Sequence, residues 1–212
     1  MKKTIIIIGL LFIITSFVVF AHNDKEVTPR VKGTYDDLKW QHCVEFHGHE
    51  CASLAIGFRV AEAVQEKLHI TLPEDEDFVC VTETDAEATD AISVAVGCSI
   101  GKGNLILRNT GKMVFNFFSR ETGEKLRVYY KGPLGKTGDK MTRSERQMQT
   151  EYVLKAPLDE IFNFSQPKFG APAEPSLFDS IKCELCGEIA PEDKIRLQDG
   201  KKVCLDCFKG EW

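Results

Sequence analysis

Two Cys-x2-Cys pairs lie within the last 30 residues of this chain, Cys183 with Cys186 and Cys204 with Cys207, separated by 17 residues. No other feature limits the fold as sharply. The segment that carries them, Ser180 to Trp212, is too small to bury a core of its own and needs a staple. Two such pairs deliver four thiolates, the set that zinc takes in closed structural sites at about 2.3 Å per bond. Two disulfides would use the same residues, but a metal also explains how so short a module folds at all.

The residues between the pairs fill in the module. Gly187 follows the first pair and suits the tight turn of a knuckle. Ile195-Arg196-Leu197 and the Asp199-Gly200 turn make a hairpin leading into Val203, and Leu205 to Phe208 form a closing turn or helix. Together they read as a treble-clef finger with structural zinc on Cys183, Cys186, Cys204 and Cys207. Four protein ligands leave no open position for a substrate. Residues 181–212 hold seven acids against six bases, so nucleic acid is not an expected partner.

The opposite end of the chain is a different material. Lys2 and Lys3 precede an apolar run from Ile5 to Phe20, and Val19-Phe20-Ala21 suits cleavage. Residues 1–21 therefore read as a secretory signal peptide. These sixteen residues, interrupted by Gly9, Thr15 and Ser16, span about 24 Å as a helix, short of the roughly 30 Å of a bilayer core. The expectation is export to the periplasm or beyond, with a membrane anchor as the alternative if the segment stays uncut.

Between these ends, residues 22–162 carry the main domain. Its composition, 43% hydrophobic and 28% charged, is that of a globular chain and excludes wholesale disorder. Leu38, Val44 and Phe46 have helical spacing in a segment from Tyr35 to Phe46. Leu54, Ile56, Phe58, Val60, Ala61, Val64 and Leu68 recur at helical intervals over Ala52 to Leu68, which predicts a long, mostly buried helix. Ala86 to Val96 predicts a tightly packed helix, and Asp139 to Leu154 an amphipathic one. Phe78 to Val81, Leu105 to Leu107, Met113 to Phe118 and Leu126 to Tyr130 read as strands. Strands gathered after two helices predict an α+β fold, an antiparallel-rich sheet with packed helices. Three prolines in residues 163–176 mark 163–179 as a linker to the finger at 180–212. Cys80 reads as a buried small hydrophobe, and Cys43 as a thiol free to pair. The charge is uneven: residues 62–90 carry ten acids and one base, residues 102–155 twelve bases and five acids. Two solvated faces explain this better than a partner does.

Phe46-His47-Gly48-His49-Glu50-Cys51 sets three metal-capable residues in five positions. Gly48 lets the backbone turn sharply. Cys51 falls at the start of the long helix, where the helix N-terminus favours a thiolate. Two imidazoles and a thiolate suit zinc or another borderline-soft transition metal. The same groups suit a nucleophile, Cys51, with His49 as its base. Gly97-Cys98-Ser99-Ile100-Gly101-Lys102-Gly103-Asn104 is glycine-rich but fails the P-loop pattern. It is either a structural turn or a loop that aims Lys102 at a small anionic ligand.

Taken in order, these stretches resemble the E-type subunit family of formylmethanofuran dehydrogenase. The resemblance runs over Phe46-His47-Gly48-His49-x-Cys51, Glu83-x-Asp85, Asp90-Ala91-Ile92, Gly97 to Leu105, Gly111-Lys112, Phe115-x-Phe117, Ala156-Pro157-Leu158, Glu160-Ile161-Phe162 and the four-cysteine tail. It implies an α+β core with an auxiliary zinc finger, often as a homodimer. It also implies a metal site in the core at His47, His49 and Cys51, with Cys98, Lys102 and Asn104 nearby. The family commonly has a cysteine where Glu87 stands here, so Glu87 or Asp85 is implied as a further, harder ligand. Three functions follow as expectations: an exported metal-binding protein, a small-molecule enzyme using the core metal or the Cys51 thiolate, and an interaction module with a vestigial core site.

Overall fold

The computed structural model describes residues 36–69, 77–132 and 140–210. The signal segment read at residues 1–21 lies outside them. No helix among the described residues is long and apolar enough to cross a membrane.

Three helices build one side of the main domain: α1 (Asp37–His47), α2 (Ala52–Leu68) and α3 (Ala88–Ala95). The α1 helix starts where the Asp36 carboxylate accepts the Lys39 N–H, which meets one of its orphan donors. It stops at Gly48, whose φ of 94° places it in the left-handed region. The α2 helix is buried nearly all round its first three turns. Trp40 of α1 meets Phe58 of α2 edge to face at 5.5 Å. Gly57 does the rest. A Cβ at that position would stand 2.0 Å from the Ala88 carbonyl oxygen, so only glycine lets α3 lie this close to α2.

The helices cover a five-stranded sheet of β1 (Phe78–Thr82), β2 (Leu105–Leu107), β3 (Val114–Ser119), β4 (Lys125–Tyr130) and β5 (Phe162–Ser165), in the order β2-β1-β3-β4-β5. Only the β1–β2 pair is parallel, and α3 forms its crossover. The other three pairs are antiparallel, as the expected α+β class requires. Phe78, Cys80, Phe115, Phe117, Leu126 and Val128 point from the sheet into the core shared with the helices. Cys80 is fully buried there, and so is Cys43 on α1. Both are free thiols.

After β4 come α4 (Arg143–Lys155) and α5 (Leu158–Ile161). The α4 helix begins four residues later than Asp139, at a reciprocal capping box between Thr142 and Glu145. Ala156 precedes Pro157 and is forced extended, at ψ 146°, which ends the helix. Arg59 of α2 donates to the Leu154 and Ala156 carbonyls and pairs with Glu62, fastening the C-terminal end of α4 to the core.

The segment read as a linker differs from that expectation. Residues 162–165 are strand β5. Beyond it Pro167 is buried, and Phe169 packs on Phe118 at 5.7 Å beneath the Arg108 guanidinium. Arg120 donates to the Ala173 carbonyl, and Pro175 lies against Gly103. The reason is the sheet's other face, which shows Val79, Val81 and Phe118 and needs cover. The finger follows as two hairpins, β6 (Ser180–Lys182) with β7 (Ile189–Pro191) and β8 (Ile195–Gln198) with β9 (Lys201–Cys204).

Substituting Gly57→Ala should destabilise the chain by about 1–3 kcal/mol, the usual cost of overpacking. Denaturant unfolding of the two proteins side by side checks it.

Candidate metal centres

The finger gathers its thiols by backbone geometry. Gly187, at φ 81°, closes the first knuckle by donating its N–H to the Cys183 carbonyl at 3.0 Å. Asp199 and Gly200, both at positive φ, make the hairpin turn that returns the chain to Cys204. Cys207 and Phe208 then donate back to the Cys204 carbonyl in a single turn. The ligand atoms of Cys183, Cys186, Cys204 and Cys207 all lie within 4.8 Å of one another. Cys186 and Cys204 stand 3.8 Å apart, the edge of a tetrahedron built on bonds of about 2.3 Å. Backbone N–H groups of Cys186 and Cys204 pull the Cys183 thiol down to about 6. The Cys207 thiol is pushed up by its hydrogen bond with Cys186. With one thiol already favoured as a thiolate, the site completes its deprotonation as a cation arrives. Among the described residues of the module only Cys183, Val203 and Cys204 are buried, with a few half-buried neighbours.

The second centre sits where three helix ends converge. His47 is the last residue of α1, and Gly48 turns the chain so that His49 follows on the same side. Cys51 is the N-cap of α2, its sulfur accepting the Leu54 N–H at 3.3 Å. Glu87 stands at the N-cap position of α3, brought in by the Gly57–Ala88 approach. The ligand atoms of His47, His49, Cys51 and Glu87 again lie within 4.8 Å of one another. Glu87 is the hub: its carboxylate lies 3.1 Å from the Cys51 sulfur, 3.7 Å from His47 Nε2 and 4.0 Å from His49 Nε2. Tetrahedral ligands on bonds of about 2.0–2.3 Å sit about 3.3–3.8 Å apart, and the three separations straddle that range. His47 Nε2 is buried with no hydrogen-bond partner, while Nδ1 lies 2.7 Å from the Asp90 carboxylate. Partial burial pushes the Cys51 thiol up to about 12; the Leu54 N–H opposes this and Glu87 adds to it.

The predicted residues thus divide. His47, His49, Cys51 and Glu87 meet, whereas Asp85 turns away and accepts from Asn109. The thiol of Cys51 donates to Glu87, a carboxylate in the place where a nucleophile's imidazole base was expected. Lys102 and Asn104 are not at this centre, because the length of α3, about 12 Å, lies between Glu87 and their loop. Asn104 is 1% exposed, and both ends of its amide are taken, by the Ser99 N–H and the Phe78 carbonyl. It staples the loop from a buried position. Lys102 donates to the Gly97 carbonyl in the same loop, and Cys98 is buried against the Phe78 carbonyl. Asp90 is the residue that sequence reasoning missed as part of this centre.

The chain is therefore an α+β domain with a candidate His/Cys/carboxylate metal group, followed by a four-cysteine finger. The FmdE family, described as molybdenum formylmethanofuran dehydrogenase operon, matches residues 46–163. That is more than half the chain, which belongs to this family. The prokaryotic DksA/TraR C4-type zinc finger matches residues 177–211. A curated protein of Archaeoglobus fulgidus, described as a probable S-adenosyl-L-methionine-binding protein, is 29% identical over 194 residues, covering 77% of this chain and 50% of that one. The chain spans about half the length of this curated relative. Among solved structures, a tungsten formylmethanofuran dehydrogenase FmdE-like protein from Syntrophus aciditrophicus shares the fold at a TM-score of 0.53 and 24% identity, covering 79% of this chain and 91% of that one.

A zinc chelator should unfold the finger and leave the main domain standing. Amide NMR spectra before and after chelation check this: signals from residues 180–210 collapse while those of the five-stranded sheet persist.

Proposed function

We propose that this chain is an exported metal-binding protein of the FmdE family. On this reading a functional ion sits on His47, His49, Cys51 and Glu87, and a structural zinc closes the finger. The observation that carries it is the buried, partnerless Nε2 of His47 facing the Glu87 carboxylate. Two acceptors turned toward each other, with a thiol and a second imidazole beside them, are the donor set of a cation.

A bound transition metal would supply Lewis acidity to a coordinated ligand. The chain's own part is to hold the donors in place. The α1 cap aims the imidazoles, the α2 N-terminus stabilises the Cys51 thiolate, and the α3 N-terminus presents Glu87. A carboxylate among softer ligands shifts preference toward zinc and harder ions than a site with a second thiolate would. Partial burial raises the Cys51 thiol and Glu87 accepts from it, which suits a ligand that gives up its proton as an ion arrives rather than a nucleophile ionised in advance. Export rests on the Lys2-Lys3 start, the apolar run and Val19-Phe20-Ala21, and a homodimer on the family alone.

Metal analysis of the full-length chain purified without oxygen tests the core site. Two ions per chain, falling to one in Cys51→Ala, is the expected result. A single zinc in both proteins would sink the core site. Export is checked separately by the intact mass of protein recovered from the cell envelope of its host, which should begin at His22.

A further inference from the structure

We infer that Asp90 is a positioning residue for the core metal: it holds His47 in its Nδ1–H form and so aims a bare Nε2 at His49, Cys51 and Glu87. This rests on the reading of those four residues as a metal site. Asp90 lies in the first turn of α3, 43 residues from His47, and its Oδ2 stands 2.7 Å from His47 Nδ1. An ionised carboxylate only accepts hydrogen bonds, so the shared proton belongs to the ring nitrogen. A neutral imidazole protonated at Nδ1 carries its lone pair on Nε2. That atom is buried, has no hydrogen-bond partner, and faces Glu87 Oε1 at 3.7 Å. The facing oxygen is also an acceptor, so neither atom can satisfy the other. A cation between them satisfies both.

Asp90 itself stays outside the ligand set, with its side chain 40% exposed. Its contact is with the ring nitrogen turned away from the cluster. This is the arrangement in which an outer carboxylate fixes the tautomer and orientation of a metal-ligating histidine, and its loss commonly weakens metal binding 10–100-fold. Asp90 has a second, purely mechanical effect, since the same bond ties α1 to α3. The test must separate the two.

Full-length wild type, Asp90→Ala and Asp90→Asn are compared, with the finger's zinc retained as an internal reference. Long-range proton–nitrogen NMR of the His47 ring, with the core free of metal, should show the proton on Nδ1 in wild type and a shift toward the other tautomer in Asp90→Ala. Titration with Co(II) against a competing chelator should show core affinity about 10–100-fold weaker in Asp90→Ala. Asp90→Asn should fall between, because its amide oxygen still accepts from Nδ1. A merely structural tie would lower stability without moving the ring proton. An Nε2–H ring in wild type, or unchanged cobalt affinity in Asp90→Ala, overturns the inference. A wild-type core that takes no cobalt overturns the metal reading itself, whereas a loaded core indifferent to Asp90 overturns only the role given to that residue.

Discussion

The core centre depends on the missing side chain of Gly57. Because nothing projects there, the first turn of α3 lies against the second turn of α2, with the Ala88 carbonyl where a Cβ would be. Glu87 and Asp90 belong to that first turn. They reach Cys51 and His47 only because the two helices touch. The α1–α2 corner contributes the other half through Gly48, whose left-handed conformation reverses the chain within one residue. Two glycines, one for close approach and one for a turn, thus collect four ligands from three helix ends and the turn that joins two of them.

Electrostatics then determines the state of those donors. Cys51 is held as a thiol by its partial burial and by Glu87, and Glu87 accepts its proton's hydrogen bond. The finger solves the same problem differently. Its first thiolate is prepared by backbone N–H groups, without a carboxylate. One centre is a pure thiolate set closed by four protein ligands. The other mixes nitrogen, sulfur and oxygen, and His49 and Glu87 remain open to solvent. This contrast in ligand softness and exposure is what the proposed division of roles, a structural finger and a functional core, rests on.

Much of this was legible in the sequence where a single rule dominated. The helix Ala52–Leu68 follows its apolar spacing residue for residue, and the finger follows from cysteine spacing alone. The antiparallel hairpins follow from their turns. What escaped were features set by tertiary contact. Strand β5 looked like the start of a linker because it is four residues long and adjoins a proline-rich run. The start of α4 was signalled by Thr142 and Glu145, three apart, but lay behind a stretch of charged residues that also suits a helix. Asn104 carried the look of a ligand because its loop is glycine-rich. Its amide is instead the loop's own staple, and Gly103 makes room for Pro175. Glu87 entered only through family resemblance, and no spacing rule connects Asp90 with His47 across 43 residues.

The strap from β5 to Pro175 has a consequence for what the finger can reach. With Pro175 fixed against Gly103, only four residues separate the strap from the first strand of the finger at Ser180. Fully extended, that tether spans about 17 Å. The finger is therefore a short-leashed appendage. Any surface or molecule it grips is delivered to the neighbourhood of the main domain at an effective concentration on the order of millimolar, so modest affinities on the two parts would combine into a strong joint grip.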